Sequence, residues 1–319
     1  MGQRWSRQLV VTVAVEADDP AVVGRTGSYG ALGGLERFHA LCRRFGVRPT
    51  YLLAWSAAGE PRCVELLRAW ADEAEAGAHL HPEEVPPIAD AERDCHTLRP
   101  RDVEPARLKE KVANLVERVA EALGRRPTSY RAGFLDLTPP QVEALAEAGI
   151  EADSSLGPLE KTREGYPYVH APMKPYPLDG NDVCRAGSSG VIEVPVTSVF
   201  SRDVPRRWHG AYLRLPGRVR GALKRLGGTE LLRFRPVSAS ADELIAVCRR
   251  TERLGVPAVL SIHSNELAAG TSAAVRTEAE SAGYFERLEC LFAHCQEAGW
   301  ASRTLTEVAR DLRAGKDVV

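Results

Sequence analysis

No stretch of this 319-residue chain is long and apolar enough to span a bilayer, so no membrane partner is expected. Neither sign of charge is in excess: 42 lysines and arginines face 43 acids, a formal net charge of −1. General nucleic-acid binding leaves a basic surplus and is not expected either. Paired cysteines are also missing. The seven cysteines (Cys42, Cys63, Cys95, Cys184, Cys248, Cys290 and Cys295) are odd in number, contain no CxxC, and fall mostly in helical patterns. Reduced structural thiols follow, with neither a disulfide framework nor a thiolate metal site. A G-x-S-x-G elbow is absent, which removes support for serine-nucleophile chemistry. So are a P-loop and a dinucleotide fingerprint, since "GALGG" follows a loop. The N-terminal "MGQRWSRQLVVTVAVEADDP" runs from two arginines through a short apolar stretch straight into acids, with no small-residue cleavage site. Residues 9–15 therefore read as a buried strand, and a cytoplasmic location is expected.

What is present is alternation. "RQLVVTVAV", "VRPTYLLAW", "AHLH", "TSYRAG", "GVIEVPVTS" and "VPAVLSIHS" read as strands. Between them lie helical patterns: "GGLERFHALCRRFG", "PRCVELLRAWADEAEAG", "EPARLKEKVANLVERVAEALG", "TPPQVEALAEAGI" and "SADELIAVCRRTERLG". A long helix, "VRTEAESAGYFERLECLFAHCQEAG", and a terminal one, "TLTEVARDLRAG", close the chain. Strand–helix alternation is the pattern of parallel strands joined by crossover helices. The expectation is one α/β domain over residues 1–319, a (β/α) barrel. Two stretches interrupt it. Residues 157–190 are rich in Pro, Gly and Tyr, and residues 201–236 are crowded with arginine. Both read as lid-like insertions, with a solvated basic surface as the alternative for the second.

Parallel barrels gather polar residues at the C-terminal ends of their strands. Here those ends carry "EADD" (Glu16 to Asp19), His79 and His81, Arg131, and His263. Residues i and i+2 of a strand point to the same face, so His79 and His81 aim two imidazoles into one volume. A carboxylate from "EADD" would complete a two-histidine, one-carboxylate set with positions open for water and substrate. The competing reading is two histidines packed beside a loop and bonded to backbone. His39 and His294 lie in helical patterns and read as packing residues. His96, His170 and His209 sit in loops, where His170 or His209 would be able to touch substrate. Tyr166, Tyr168 and Tyr176 read as pocket walls.

In order, "VTVAVEADD", "GAHLHPEEVPP", "SYRAGFLDLTPPQVEALAEAGIEADSS", "VIEVPVT" and "VLSIHSNEL" resemble the polysaccharide deacetylase family with its NodB-homology domain, in an H-x-H-P variant. The resemblance spans roughly residues 8 to 267. It implies a distorted (β/α) barrel of the seven-stranded type and a divalent metal, usually Zn2+. It further implies hydrolysis of an N-acetyl group on an amino sugar. Carried over, His79 and His81 are metal ligands, and Asp18 is the first choice for the carboxylate ligand. Arg131 orients or tunes the catalytic carboxylate, His263 protonates the leaving amine, and Asp153 holds His263 in its tautomer. One position departs. Where the family has its first Asp, the general base, this chain has Ala14. Glu16, on the same strand face, is the replacement base; Asp18 or Asp19 are alternatives, and loss of the base is a third. The expected substrate is a cytosolic small glycoside or biosynthetic intermediate, with phosphorylated or anionic forms suggested by the arginine-rich stretch. A deformylase or other amide hydrolase of this fold, and a sugar-binding protein without a base, are the rival readings.

Overall fold

The β-branched, fully buried run at residues 10–13 makes the central strand of a parallel sheet in the computed structural model, which describes residues 5–92 and 97–315. Cys95 and His96 lie outside the described residues. The strands are β1 (Gln8–Val15), β2 (Thr50–Leu53), β3 (Glu75–Leu80), β4 (Ser129–Ala132), β5 (Ala152–Asp153), β6 (Tyr176–Pro177), β7 (Ile192–Glu193), β8 (Ser198–Phe200), β9 (Leu231–Arg233), β10 (Ala258–His263) and β11 (Ala301–Arg303). The helices are α1 (Pro20–Val23), α2 (Leu32–Arg44), α3 (Pro61–Ala69), α4 (Pro105–Leu123), α5 (Pro139–Glu147), α6 (Arg206–Arg214), α7 (Gly217–Arg225), α8 (Ala241–Leu254), α9 (Glu278–Glu297) and α10 (Leu305–Arg313).

The main sheet runs β10-β1-β2-β3-β4-β5-β7-β6, with β11 also on β1. Seven of these strands, β10 through β7, pair in parallel; only β6 is antiparallel to β7. The sheet curls into a half-barrel, as the strand–helix alternation implied. Its two sides meet beyond β7. There Thr197 N–H donates to the Val259 carbonyl (3.1 Å) and Val259 N–H donates to Thr197 Oγ1 (2.9 Å). Pro195 has no N–H to give, so "VIEVPVT" supplies only a two-residue strand before this side-chain-assisted contact.

Residue parity divides the side chains between two faces. Leu9, Val11, Val13 and Val15 face outward into the large core under the helices. Val10, Leu52, Ala152, Ile192, Val194 and Val259 face into the barrel, plugged at its lower end by Leu305, Val308 and Ala309 of α10. Each aliphatic side chain buried this completely contributes roughly 1.5–3 kcal/mol. Helix ends carry the expected chemistry: Ser240, Thr277 and Thr304 form capping boxes with Glu243, Glu280 and Glu307.

Two elements differ from the sequence expectation. The helix expected through residue 77 stops at Ala69, and β3 already begins at Glu75. Trp70 leaves the helix to stack on His39 (centroids 4.0 Å apart), and Glu75 then registers with Thr50 of β2. Residues 201–236 are not one loop. They hold α6, α7 and β9, and β9 pairs with β8 over a small core of Leu159, Phe200, Tyr212 and Leu213.

Candidate metal centre

Strand β3 points Ala78 and Leu80 outward into the core and turns His79 and His81 into the barrel mouth. Glu16 leaves the end of β1 toward the same volume. One donor atom from each of Glu16, His79 and His81 lies within 4.8 Å of the others. Glu16 Oε2 stands 3.1 Å from His81 Nε2 and 3.8 Å from His79 Nε2. The two rings meet edge to face, 4.7 Å apart.

Neighbouring groups fix each member. His79 Nδ1–H donates to the Arg131 carbonyl (3.1 Å), which sets the tautomer and leaves Nε2 as the free donor atom. The Ser264 hydroxyl donates to the Glu16 carbonyl (3.0 Å) and accepts from its N–H (3.1 Å), and Asn265 Nδ2 donates to Glu16 Oε1 (3.3 Å). His81 Nδ1 lies 3.7 Å from Glu83 Oε1, and its ring abuts Phe134 at 5.4 Å. Gly133 makes room for that ring: a Cβ there would come within 3.2 Å of His81 Nδ1 and 2.6 Å of the Leu80 carbonyl. The turn after the histidines is tied down by Lys111, fully buried on α4. Its ammonium donates to the carbonyls of Pro82 (2.8 Å) and Val85 (2.7 Å) and pairs with Glu92 at 3.1 Å.

Charge is distributed unevenly over the cluster. Burial, assisted by repulsion from His81 and Arg131, pushes His79 down to about 4 despite Glu16. Burial also opposes charge on His81, but Glu16 and Glu83 overcome it and raise His81 to about 10. Burial would raise Glu16, yet His263, His79 and His81 hold it well below the usual carboxylate range. Without a cation the cluster is thus an imidazolium–carboxylate pair beside a neutral imidazole. Two imidazole nitrogens and one carboxylate are the donor set of catalytic zinc sites, and they fit a divalent ion here.

The cluster opens into a cavity of about 680 Å3 whose wall includes Glu16, His81, Glu83, Phe134, His263 and Glu266. His263, expected opposite the metal ligands, does face this cavity. Several other expectations need correction. Asp18 is not in the cluster; its buried carboxylate accepts from the N–H groups of Gly30 (2.6 Å) and Ala31 (3.2 Å), and Glu16 takes the carboxylate place. Asp19 caps α1. Asp153 does not reach His263. It bonds Ser155 (Oγ, 2.5 Å) and sits opposite Glu193 in the β5/β7 register. The partner of His263 Nδ1 is Glu266 (3.3 Å), with Arg235 Nη2 3.4 Å from the same nitrogen. "SIHSNEL" held that signal as an acid three residues after the histidine. Among the described residues the Arg131 guanidinium touches no carboxylate. It bonds Thr12 Oγ1 (2.8 Å), Ser154 O (2.7 Å), Ser154 Oγ (3.0 Å) and Ser261 Oγ (3.1 Å) beneath the cluster. Ala14 is fully buried, in register with His263.

The remaining residues singled out in the sequence lie elsewhere. Tyr168 and Tyr176 are buried and spend their hydroxyls on the carbonyls of Leu137 (3.1 Å) and Val183 (2.6 Å). His209 lines a separate, apolar cavity of about 380 Å3 with Leu159, Val169 and Met173. The arginines of 201–236 are absent from the wall of the larger cavity. Arg233 pairs with Glu160 (3.3 Å), and Arg206 and Arg225 bond the carbonyls of His170 and Gly221.

No family model matches the sequence, and no curated protein matches it. Solved structures do match the fold. A putative polysaccharide deacetylase from Mycobacterium smegmatis superposes with a TM-score of 0.61 at 20% identity, over 99% of this chain and 92% of that one. An allantoinase gives 0.57 at 12% identity, over 100% of this chain and 95% of that one. A 4-alpha-glucanotransferase from Thermococcus litoralis gives 0.55 at 12% identity, covering 96% of this chain but 40% of that one. At these identities the likeness is one of architecture, and the chain has the curled (β/α) half-barrel fold of the polysaccharide deacetylases.

Proposed function

We propose that this protein is a divalent-metal-dependent amide hydrolase that removes the N-acetyl group of an amino sugar, a small cytosolic glycoside or biosynthetic intermediate. The observation that carries the reading is the Glu16–His79–His81 cluster opening into a cavity that also holds the His263–Glu266 pair. Glu16, His79 and His81 would hold the ion, zinc being the natural choice for this donor set. When bound, such an ion polarises a carbonyl and makes water nucleophilic near neutral pH.

The chain's own groups supply the proton transfers. Glu83 lines the cavity beside His81, and among the described residues its Oε2 has no hydrogen-bond partner although it is shielded from solvent. It takes the role that Ala14 cannot perform, and its carboxylate accepts the proton of the attacking water. His263, with Nδ1 held by Glu266, gives its Nε2 proton to the departing nitrogen as the C–N bond breaks. Phe134 and Ala17 line the cavity that would take the sugar ring.

The test is acetate release by the zinc-loaded protein from a panel of N-acetylated amino sugars. His263→Ala should lower kcat by roughly 10²–10⁴-fold while the protein keeps its zinc. Formate release from N-formyl substrates alone would replace deacetylation with deformylation. Sugar binding without turnover across the panel would replace the enzyme with a binding protein.

A further inference from the structure

The chain as a whole is electrically balanced, at net −1, but the candidate cavity is not. Glu16, Asp18, Asp19, Glu83, Glu84 and Glu266 all contribute to its wall, and no lysine or arginine does so among the described residues. His81 faces Glu16 and Glu83, and Arg235 and His263 face Glu266; among the described residues the other three acids have only neutral partners. Asp18 and Asp19 accept from backbone N–H groups, and Glu84 Oε2 accepts from Ser56 N–H (3.2 Å) and Oγ (2.7 Å). Such dipoles stabilise a carboxylate without cancelling its charge. Arg235 reaches Glu266 at 3.7 Å, and Arg163 stands over the Phe134 ring at 5.7 Å; neither belongs to the wall. A divalent ion would offset two of the charges. A buried carboxylate oxygen, Glu83 Oε2, is left with no protein partner among the described residues.

From this wall we infer that the substrate is cationic: an N-acylated sugar that already carries at least one free ammonium group. The inference rests on the deacetylase reading and narrows it. Clefts lined by one sign of charge focus the field and concentrate the opposite ion, by roughly 10–10³ in association rate. An ammonium also supplies N–H donors to the wall's carboxylates, which accept only. Hydrolysis adds water across the amide, so the C–N bond becomes an amine and a carboxylate. The amine takes up a proton and is held by the same wall, while the acetate is expelled by it. A phosphorylated sugar meets repulsion instead, which reverses the expectation drawn from the arginine-rich stretch.

Three probes on the zinc-loaded full chain decide the matter: the mono-N-acetylated disaccharide of glucosamine (cationic), its di-N-acetylated form (neutral) and N-acetylglucosamine 6-phosphate (anionic). The cationic probe should show a kcat/KM at least about tenfold above the neutral one. Raising the salt from low to about 1 M, where the Debye length falls to about 3 Å, should shrink that preference. The double variant Asp19→Asn, Glu84→Gln keeps an acceptor oxygen for Ala21 N–H and for Ser56. It should cut the preference to within about twofold. Turnover of the neutral probe with no cationic preference, or a preference for the phosphate, overturns the inference and leaves the deacetylase reading intact. If no probe is hydrolysed, calorimetric binding of the fully deacetylated disaccharide decides. Binding weakened about tenfold by the double variant sustains the cationic site without the reaction, and no binding removes both.

Discussion

Loading zinc onto the metal-free protein should release one proton per ion at neutral pH. The count follows from the cluster. His81 is held charged by Glu16 and Glu83, up to about 10, whereas burial keeps His79 neutral down to about 4. Glu16 lies well below the usual carboxylate range and brings no proton. A metal needs neutral imidazole, so the ion must displace the His81 proton and nothing else. Between about pH 6 and 9 the dissociation constant should therefore rise tenfold for each unit the pH falls, or 1.36 kcal/mol per unit. Below about pH 5 the slope should steepen as His79 begins to bind a proton too. Titration calorimetry in buffers of different ionisation enthalpy reads the proton count directly, and repeating it across pH reads the slope. In His81→Ala the release should vanish and the affinity collapse. A heat independent of buffer, with a flat affinity between pH 6 and 8, would refute the charge assignment of the cluster.

Three further outcomes are expected. Glu16→Ala should abolish stoichiometric zinc binding, whereas Asp18→Ala should keep it and lower stability by about 1–3 kcal/mol, since two N–H groups lose a buried acceptor; equal zinc loss in both variants would return Asp18 to the ligand set. Lys111→Met should cost about 1–3 kcal/mol in denaturant unfolding, because two carbonyls lose their buried donor while Glu92 keeps Arg107 at 3.4 Å. Zinc affinity should fall with it as the turn after His81 loosens. Glu193→Gln should raise Tm more at pH 8 than at pH 4.5. Burial and the facing Asp153 hold Glu193 well above its ordinary 4.5, so the folded protein retains a proton the unfolded chain gives up. That contribution is complete below 4.5 and is lost as pH rises toward the folded value. A Tm gain independent of pH would contradict it.

The sequence was informative where one period or one short spacing decided the outcome. Alternation in "VVTVAV" and the i, i+2 spacing of His79 and His81 sufficed to place a strand face and aim two rings. The Ser240 and Thr138 helix starts followed from capping chemistry alone. Choosing among acids was beyond reach, because Glu16, Asp18 and Asp19 share a composition and differ only in where the chain bends after Val15. That bend sends Asp18 to the N–H groups of Gly30 and Ala31 in a loop that no local pattern announces. The pairing of His263 with Glu266 was local and readable, but Asp153 was favoured by the family resemblance. Lys111 reads in the sequence as one more polar position of an amphipathic helix. Only the tertiary turn at Pro82 shows why it is dry. Where the arginines of 201–236 point was not readable, because composition carries no direction.

The guanidinium of Arg131 has a consequence for how this barrel can change over time. One side chain from β4 satisfies hydroxyls contributed by β1, by β10 and by the segment after β5. An aliphatic residue in its place would leave Ser261 Oγ without its donor and Thr12 and Ser154 with only their carbonyl acceptors, while an aliphatic at Thr12 or Ser261 would strand a charged N–H. Positions 12, 131, 154 and 261 are therefore interlocked. In descendants of this chain they should drift as a set or stay fixed, however freely the loops above them diversify.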